Sequence, residues 1–391
     1  MNSNLINKNS KKLTYKRILP YLSVIWVSGP FFGSYFAIKY SPFAPILIGI
    51  YFIVTVIPLL FLFRNQTVRM ILGNFLAILC IGTIFEFYLS INAMPKFLPK
   101  YKPEHPYFIS SDTLGYRVTP NNTCNSLLLN NKDTLYNVKY TIDSNGQRIT
   151  PTVNNDSVSV TIVFFGDSFT FGDGLNDNQS LPYRVGIKGK GKVKVYNFAL
   201  HGYGPHQMLA SIESGLMEKI IQPKGKVYFV FQSITDHLRR CSGDAPWDSH
   251  GPKYLINKDN KLHNTGHFDD DFFKFALNRS YIYKAITKNG LDITHDKIKL
   301  YAAIMETTKN DLLAKYPDAQ FKVIYWDLPT DETNNFVITS LREKNIDISL
   351  ISKDIGIDSV SLPEYVIKDD NHPNVKAVEL LSDFLIKMIK D

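Results

Sequence analysis

Residues 158–172 read VSVTIVFFGDSFTFG. The first eight carry no charge and are rich in β-branched and aromatic side chains, the composition of a strand buried on both faces. The run stops at Gly166, and Ser168 follows just beyond the strand end, where its hydroxyl can stand at the rim of a sheet. Three later runs have the same character: VKVYNF (193–198), KVYFVFQ (226–232) and FKVIYWD (321–327). Helical patterns fall at about 205–220, 297–316, 332–345 and 374–389. Strands alternating with helices predict an α/β fold, a parallel sheet covered on both faces. In such sheets, sites form beyond the carboxyl ends of the strands.

A serine is a weak nucleophile until a base takes its proton. The base candidate is in Asp369-Asp370-Asn371-His372-Pro373. A carboxylate three residues before a histidine on a turn can fix the imidazole's tautomer, leaving the other ring nitrogen for Ser168. That spacing names Asp369, with Asp370 as the alternative. Pro373 suits the start of the last helix. Asp167 reads as a hydrogen-bonding turn residue. His201, His206 and His237 lack a carboxylate or cysteine set at metal-ligand spacing, so neither metal nor cofactor is expected.

Gly166-Asp167-Ser168 and Asp369-x-x-His372 resemble the first and last blocks of the SGNH (GDSL-type) hydrolases. Asn197-Phe-Ala-Leu-His-Gly202 resembles the second block. Ser233-Ile-Thr-Asp-His237 stands at the third, with Thr235 where the family carries asparagine. The resemblance implies a three-layer, flavodoxin-like domain over 157–391. It implies acyl transfer through a covalent serine: Ser168 as nucleophile, His372 as base and Asp369 as orienter. The oxyanion hole would use the Ser168 and Gly202 amides and the Thr235 hydroxyl. Losing one such donor costs roughly 10²–10³ in rate. Asp236-His-Leu-Arg-Arg240 looks most like bacterial membrane-tethered members related to alginate acetylation proteins. The implied substrate is therefore an acyl, chiefly acetyl, ester of a surface or cell-wall glycan. Esterase and O-acetyltransferase would share these residues, and a transferase would need a polytopic partner. A catalytically weak glycan-binding or scaffold domain is the alternative that Thr235 favours. Among aromatics that could stack on a sugar (Tyr203, Trp247, Trp326), Tyr203 is best placed, directly after Gly202, while Trp247 and Trp326 read as core or loop packing.

Outward from this domain the chain changes character. Of 391 residues, 44 are Lys or Arg and 36 Asp or Glu, a net +8. Residues 1–94 hold eight basic residues against Glu86 alone, so nearly all the excess lies there, and the near-neutral remainder offers no nucleic-acid stripe. Mean hydropathy of −0.10 averages two unlike parts. Apolar runs at 18–38, 43–63 and 70–93 predict three membrane helices within 1–94. Glu86 is expected near the outer interface. Lys8, Lys11, Lys12, Lys16 and Arg17, with Arg64 and Arg69 in the second loop, place the N-terminus in the cytoplasm. Residues 95–391 then lie outside, in the periplasm if the membrane is a bacterial inner membrane. Residues 95–156 read as a proline-rich linker and a small β-rich element with a turn at Asn145-Gly146. The stretch 239–295 interrupts the alternation as an insertion beside the site. Cys124 and Cys241 would both be exported; a bridge would tie the small element to the site's rim, and the alternative is two unpaired cysteines, one or both buried as small hydrophobes.

Overall fold

A computed structural model describes residues 44–92, 98–271, 277, 279–287 and 293–390. They form two compact units. One comprises residues 1–94 with 271–291, the other 95–270 with 292–391.

In the first unit, α1 (Ala44–Leu62) and α2 (Gln66–Asn92) pack together, and each is long and apolar enough to cross a membrane. The expected span at 18–38 lies outside the described residues. Asn65 Oδ1 accepts from the amides of Thr67 and Val68 and caps α2, so Arg69 falls within the helix and not in a loop. Glu86 is buried, and its partners come from far along the chain. Its carboxylate accepts the amides of Tyr281 (2.5 Å) and Ile282 (3.0 Å) and the Ser280 hydroxyl (2.9 Å). It thus satisfies the first free amides of the helix Tyr281–Thr287, where negative charge is favoured. Part of the insertion read as lying beside the site therefore belongs with the apolar helices.

The second unit opens with β1 (Lys100–Pro103), β2 (Phe108–Ser111), β3 (Gly115–Val118), β4 (Asn122–Asn130) and β5 (Asp133–Ile142). β1, β4 and β5 form an antiparallel sheet, and β2 pairs with β3. The Asn145-Gly146 turn is present, closed by Asp143 against Gln147 with Gly146 at φ +80°. There follow β6 (Val160–Phe165), α3 (Ser168–Phe171), α4 (Leu181–Lys188), β7 (Val193–Asn197), α5 (Pro205–Glu213), β8 (Lys226–Ile234) and α6 (His237–Cys241). The chain continues through the hairpin β9 (Pro252–Ile256) and β10 (Leu262–His267) to α7 (His295–Lys315), β11 (Gln320–Trp326), α8 (Glu332–Glu343), β12 (Asp347–Leu350) and α9 (Val375–Met388).

The central sheet is parallel, ordered β12-β11-β8-β6-β7. Alternation along β6 builds the three layers. Val163 and Phe165 face a core with α5, α7 and α8, while Ile162 and Phe164 face one with α4 and α9. Burying each such side chain contributes about 1.5–3 kcal/mol. The small β element does not stand apart. Val118, Tyr140 and Ile142 share a third core with Phe171, Leu200 and Tyr203. Cys124 lies in that core and Cys241 in the one under α5, both as buried free thiols, so the bridge between them is not formed.

Candidate active site

β6 ends at Phe165, and Gly166 turns the chain at φ +145°, a position where a Cβ would collide with the Thr170 hydroxyl. Asp167 caps the next turn, its Oδ1 accepting the Phe169 amide at 3.0 Å. Ser168 is therefore the first residue of α3, buried to 8% exposure. The amides of Phe198 and Leu200 bond to the carbonyls of Phe164 and Gly166 and lay the second block beside the first.

His372 reaches the same place from the loop before α9. Its Nε2 is 2.8 Å from Ser168 Oγ, and its Nδ1 is 2.7 Å from Asp370 Oδ2. The expected orienter, Asp369, is corrected to Asp370. Asp369 and Asn371 both have left-handed backbones, φ +64° and +65°, which short polar side chains tolerate. The turn closes through the Asp370 and Asn371 amides on the Ile367 carbonyl. Asp369 is turned to Asn130 instead and accepts from its Nδ2 at 3.0 Å.

Beneath the serine lies a buried charge network. Asp167 Oδ2 accepts from Arg240 Nη1 at 2.7 Å and stands 3.4 Å from His237 Nε2. Burial pushes the Asp167 carboxyl up, but Arg240 and His237 outweigh it and hold it well below the usual carboxylate range. His237 Nδ1 accepts the Ile234 amide, so its proton is on Nε2, facing Asp167. Burial keeps His237 below its ordinary value, though Asp167 opposes the shift. Arg240 also donates to the Tyr203 carbonyl at 2.8 Å.

Three consecutive carbonyls at the end of the second block and just past it are held from outside. Tyr116 Oη donates to His201 O at 2.6 Å, Trp247 Nε1 to Gly202 O at 3.1 Å, and Arg240 to Tyr203 O. A trans peptide points its N–H opposite its carbonyl. Tyr116, by fixing the His201 carbonyl, fixes the Gly202 amide facing away from it. Among the described residues neither the Gly202 amide nor the Ser168 amide has a partner. Gly202 has φ +74°, and a Cβ there would strike the Trp247 indole nitrogen and the Tyr116 hydroxyl.

Thr235 does not join them as a free donor. Its hydroxyl donates to Asn334 Oδ1 at 2.7 Å, within a cluster that includes Tyr325. The expected third oxyanion donor is thus committed to α8. Tyr203 is likewise corrected as a stacking surface: it is 7% exposed and donates to the Tyr116 carbonyl. Trp326 is buried edge-on against Phe169. Trp247 alone of the three is open, at 53% exposure, with the Arg240 guanidinium 5.8 Å from its ring.

Each of the three histidines weighed above faces a carboxylate: His201 meets Asp173, His206 meets Asp248 at 2.7 Å, and His237 meets Asp167. No group of three metal-ligating side chains is found among the described residues. Asp173, Tyr116, Arg240 and Arg148 stand out from the structure alone. Their only sequence signal is a charged or phenolic side chain within or near a motif block.

Burial pulls His372 down, but the hydrogen bond it donates to Asp370 and the charges of Asp173, Asp370 and Asp167 outweigh it, so the imidazole lies above its ordinary value. A base must be neutral to accept the serine proton. Activity is therefore lost as pH falls through this raised value, and the acid limb of kcat/KM lies above about 6.5. A pH–rate profile of ester hydrolysis checks this. A limb at or below about 6 contradicts it.

No protein-family profile matches the chain, and no curated protein matches it. Solved structures do. They include a member of the lipolytic protein G-D-S-L family from Veillonella parvula (12% identity, 59% of this chain and 99% of that one, TM-score 0.35). A psychrotrophic esterase from Pseudoalteromonas sp. aligns at 13% identity over 59% of this chain and 97% of its own, TM-score 0.33. A two-domain esterase active on acetylated mannans aligns at 11% identity over 60% of this chain and 49% of its own, TM-score 0.34. Similarity this distant has no bearing on the chemistry, which rests on the site's own geometry.

Proposed function

We propose that this chain is a membrane-anchored serine esterase acting on acyl esters, chiefly acetyl esters, outside the cytoplasm. The observation that carries the reading is the continuous relay from Asp370 through His372 to Ser168 Oγ, with two amides, Ser168 and Gly202, beyond the ends of neighbouring strands and without a partner among the described residues. In this mechanism His372 Nε2 takes the Ser168 proton as Oγ attacks the ester carbonyl. The Ser168 and Gly202 amides receive the oxyanion. Imidazolium, steadied by Asp370, then protonates the leaving alcohol. Attack by water on the acyl-serine, assisted by the same nitrogen, releases the acid and restores the enzyme.

The open indole of Trp247, whose N–H is bonded to the Gly202 carbonyl, offers a flat face beside the oxyanion amide and suits a glycan-borne ester. The apolar helices α1 and α2 support anchoring, and the excess of basic residues before and between the expected spans supports an extracytoplasmic site.

The test uses the full chain in detergent micelles and a fluorophosphonate probe, which reacts only with an activated serine. Wild type labels stoichiometrically, and Ser168→Ala does not label. Equal labelling of both proteins removes Ser168 as the nucleophile.

A further inference from the structure

Once Ser168 is acylated, its Oγ no longer occupies His372 Nε2, and that nitrogen must accept a proton from the incoming nucleophile. A second acceptor lies close by. The short helix α3 ends at Gly172, φ +92°, and the chain doubles back so that the Asp173 amide bonds to the Ser168 carbonyl at 2.9 Å. Asp173 is 6% exposed, and its Oδ2 stands 4.0 Å from His372 Nε2.

The other oxygen is spoken for. Asp173 Oδ1 is buried in direct contact with His201 Nδ1, and His201 Nε2 is 2.8 Å from the Tyr107 hydroxyl. Tyr101, Tyr107, Phe108, Tyr140 and Phe171 pack around the His201 ring. An aromatic box thus fixes the carboxylate with one oxygen inward and the other toward the catalytic histidine. The relay from Asp370 to Ser168 uses none of these groups.

Two acceptors 4.0 Å apart suit a nucleophile with two protons. A water about 2.8 Å from each subtends an angle of about 90° at its oxygen, close to its own H–O–H angle. It can offer one proton to Nε2 and the other to Asp173. A monohydric alcohol has a single proton, so it would leave one of the two acceptors facing a lone pair.

We propose that Asp173 Oδ2 and His372 Nε2 form a two-acceptor seat for the deacylating water, so that Asp173 sets the acyl-enzyme's preference for hydrolysis over transfer to an alcohol. This inference rests on the serine-esterase reading above. In the step itself the water oxygen bonds to the acyl carbon and one water proton passes to His372 Nε2. The C–Oγ bond then breaks, and His372 returns that proton to Ser168 Oγ as the carboxylic acid departs. Asp173 accepts a hydrogen bond throughout and takes no proton.

The test is the partition of one acyl-enzyme between two nucleophiles. The full chain in detergent turns over p-nitrophenyl acetate in buffer containing methanol, and acetate and methyl acetate are both quantified. Both products arise from the same intermediate, so their ratio does not depend on how much enzyme is folded. A merely structural role for Asp173 would lower total turnover and leave the ratio alone. In Asp173→Ala the methyl acetate to acetate ratio rises about tenfold, the loss of one charge-assisted hydrogen bond to water. Asp173→Asn keeps the shape and weakens the acceptor, and there the ratio rises at least about threefold. A variant too slow for steady state is read by single turnover of the preformed acetyl-enzyme. A rise below about threefold in both variants overturns the proposal. Failure of the underlying reading is distinct: it appears as turnover that Ser168→Ala does not abolish.

Discussion

Acetyl-ester turnover falls at least about 10³-fold in Ser168→Ala and in His372→Ala, because members of such a relay act as a unit. Asp370→Asn costs about 10³–10⁴, since an amide at Nδ1 can hold the ring in the wrong tautomer. Asp369→Asn, one position away, leaves turnover within about threefold of wild type, because Asp369 touches Asn130 and not the imidazole. Steady-state kinetics on the four variants, each compared with wild type for thermal stability, separates loss of chemistry from loss of fold. A large loss in Asp369→Asn with a small one in Asp370→Asn would reverse the assignment drawn from the 2.7 Å contact.

Arg148→Met destabilises the protein by about 3–5 kcal/mol, read as a fall of roughly 10 °C in Tm. Arg148 is 1% exposed, and its guanidinium sits 4.5 Å from the Tyr140 ring. It donates to the carbonyls of Phe171 and Gly172 at 2.7 Å each, to Leu175 at 2.6 Å, and to Asp177 at 3.0 Å. These carbonyls close α3 and the turn that carries Asp173, so a cation there also suits the helix's C-terminal end. Arg148→Lys does not restore the loss, because one ammonium cannot reproduce a planar fork bonded to several acceptors. A Tm within about 2 °C of wild type in Arg148→Met would show that the clamp is dispensable.

Much of this architecture is legible along the chain. The four apolar runs became β6, β7, β8 and β11 within two residues at each end, because strands buried on both faces have a distinctive composition. The helix patterns at 297–316, 332–345 and 374–389 match α7, α8 and α9 to within two residues at each end. The edge strand β12, Asp-Ile-Ser-Leu, is short and half polar, and carries no comparable signal. The contact of Ser168 with His372, 204 residues apart, follows from both lying beyond strand ends.

Direction was not legible. Spacing favoured Asp369 over Asp370, and only the left-handed turns at 369 and 371 settle which carboxylate looks inward. Thr235 stands at the expected place, yet Asn334, on a helix 99 residues later, takes its hydroxyl. Asp173 lies five residues past Ser168 and His201 within the second block, and the ring that meets Asp173 is packed by aromatic side chains of the small β element. A one-dimensional pattern locates groups near a site. The backbone angles and the packing of distant elements decide where their lone pairs point.

The carboxylate of Glu86, bonded to residues 280–282, bears on how the second unit could be separated from the apolar helices. The chain passes between its two units at 94/95, 270/271 and 291/292. A cut after residue 94 would leave residues 95–391 in one piece, with the 271–291 segment held to the apolar helices only by non-covalent contacts, the Glu86 hydrogen bonds among them. Release would then require either that these contacts part or that the chain be cut on both flanks of the 271–291 segment. A soluble fragment beginning at residue 95 would also carry the helix Tyr281–Thr287 without its acidic cap, and with Ile286 at 78% exposure. Recombinant production of the second unit is thus expected to give soluble protein with 271–291 replaced by a short polar bridge, and aggregates with it left in place.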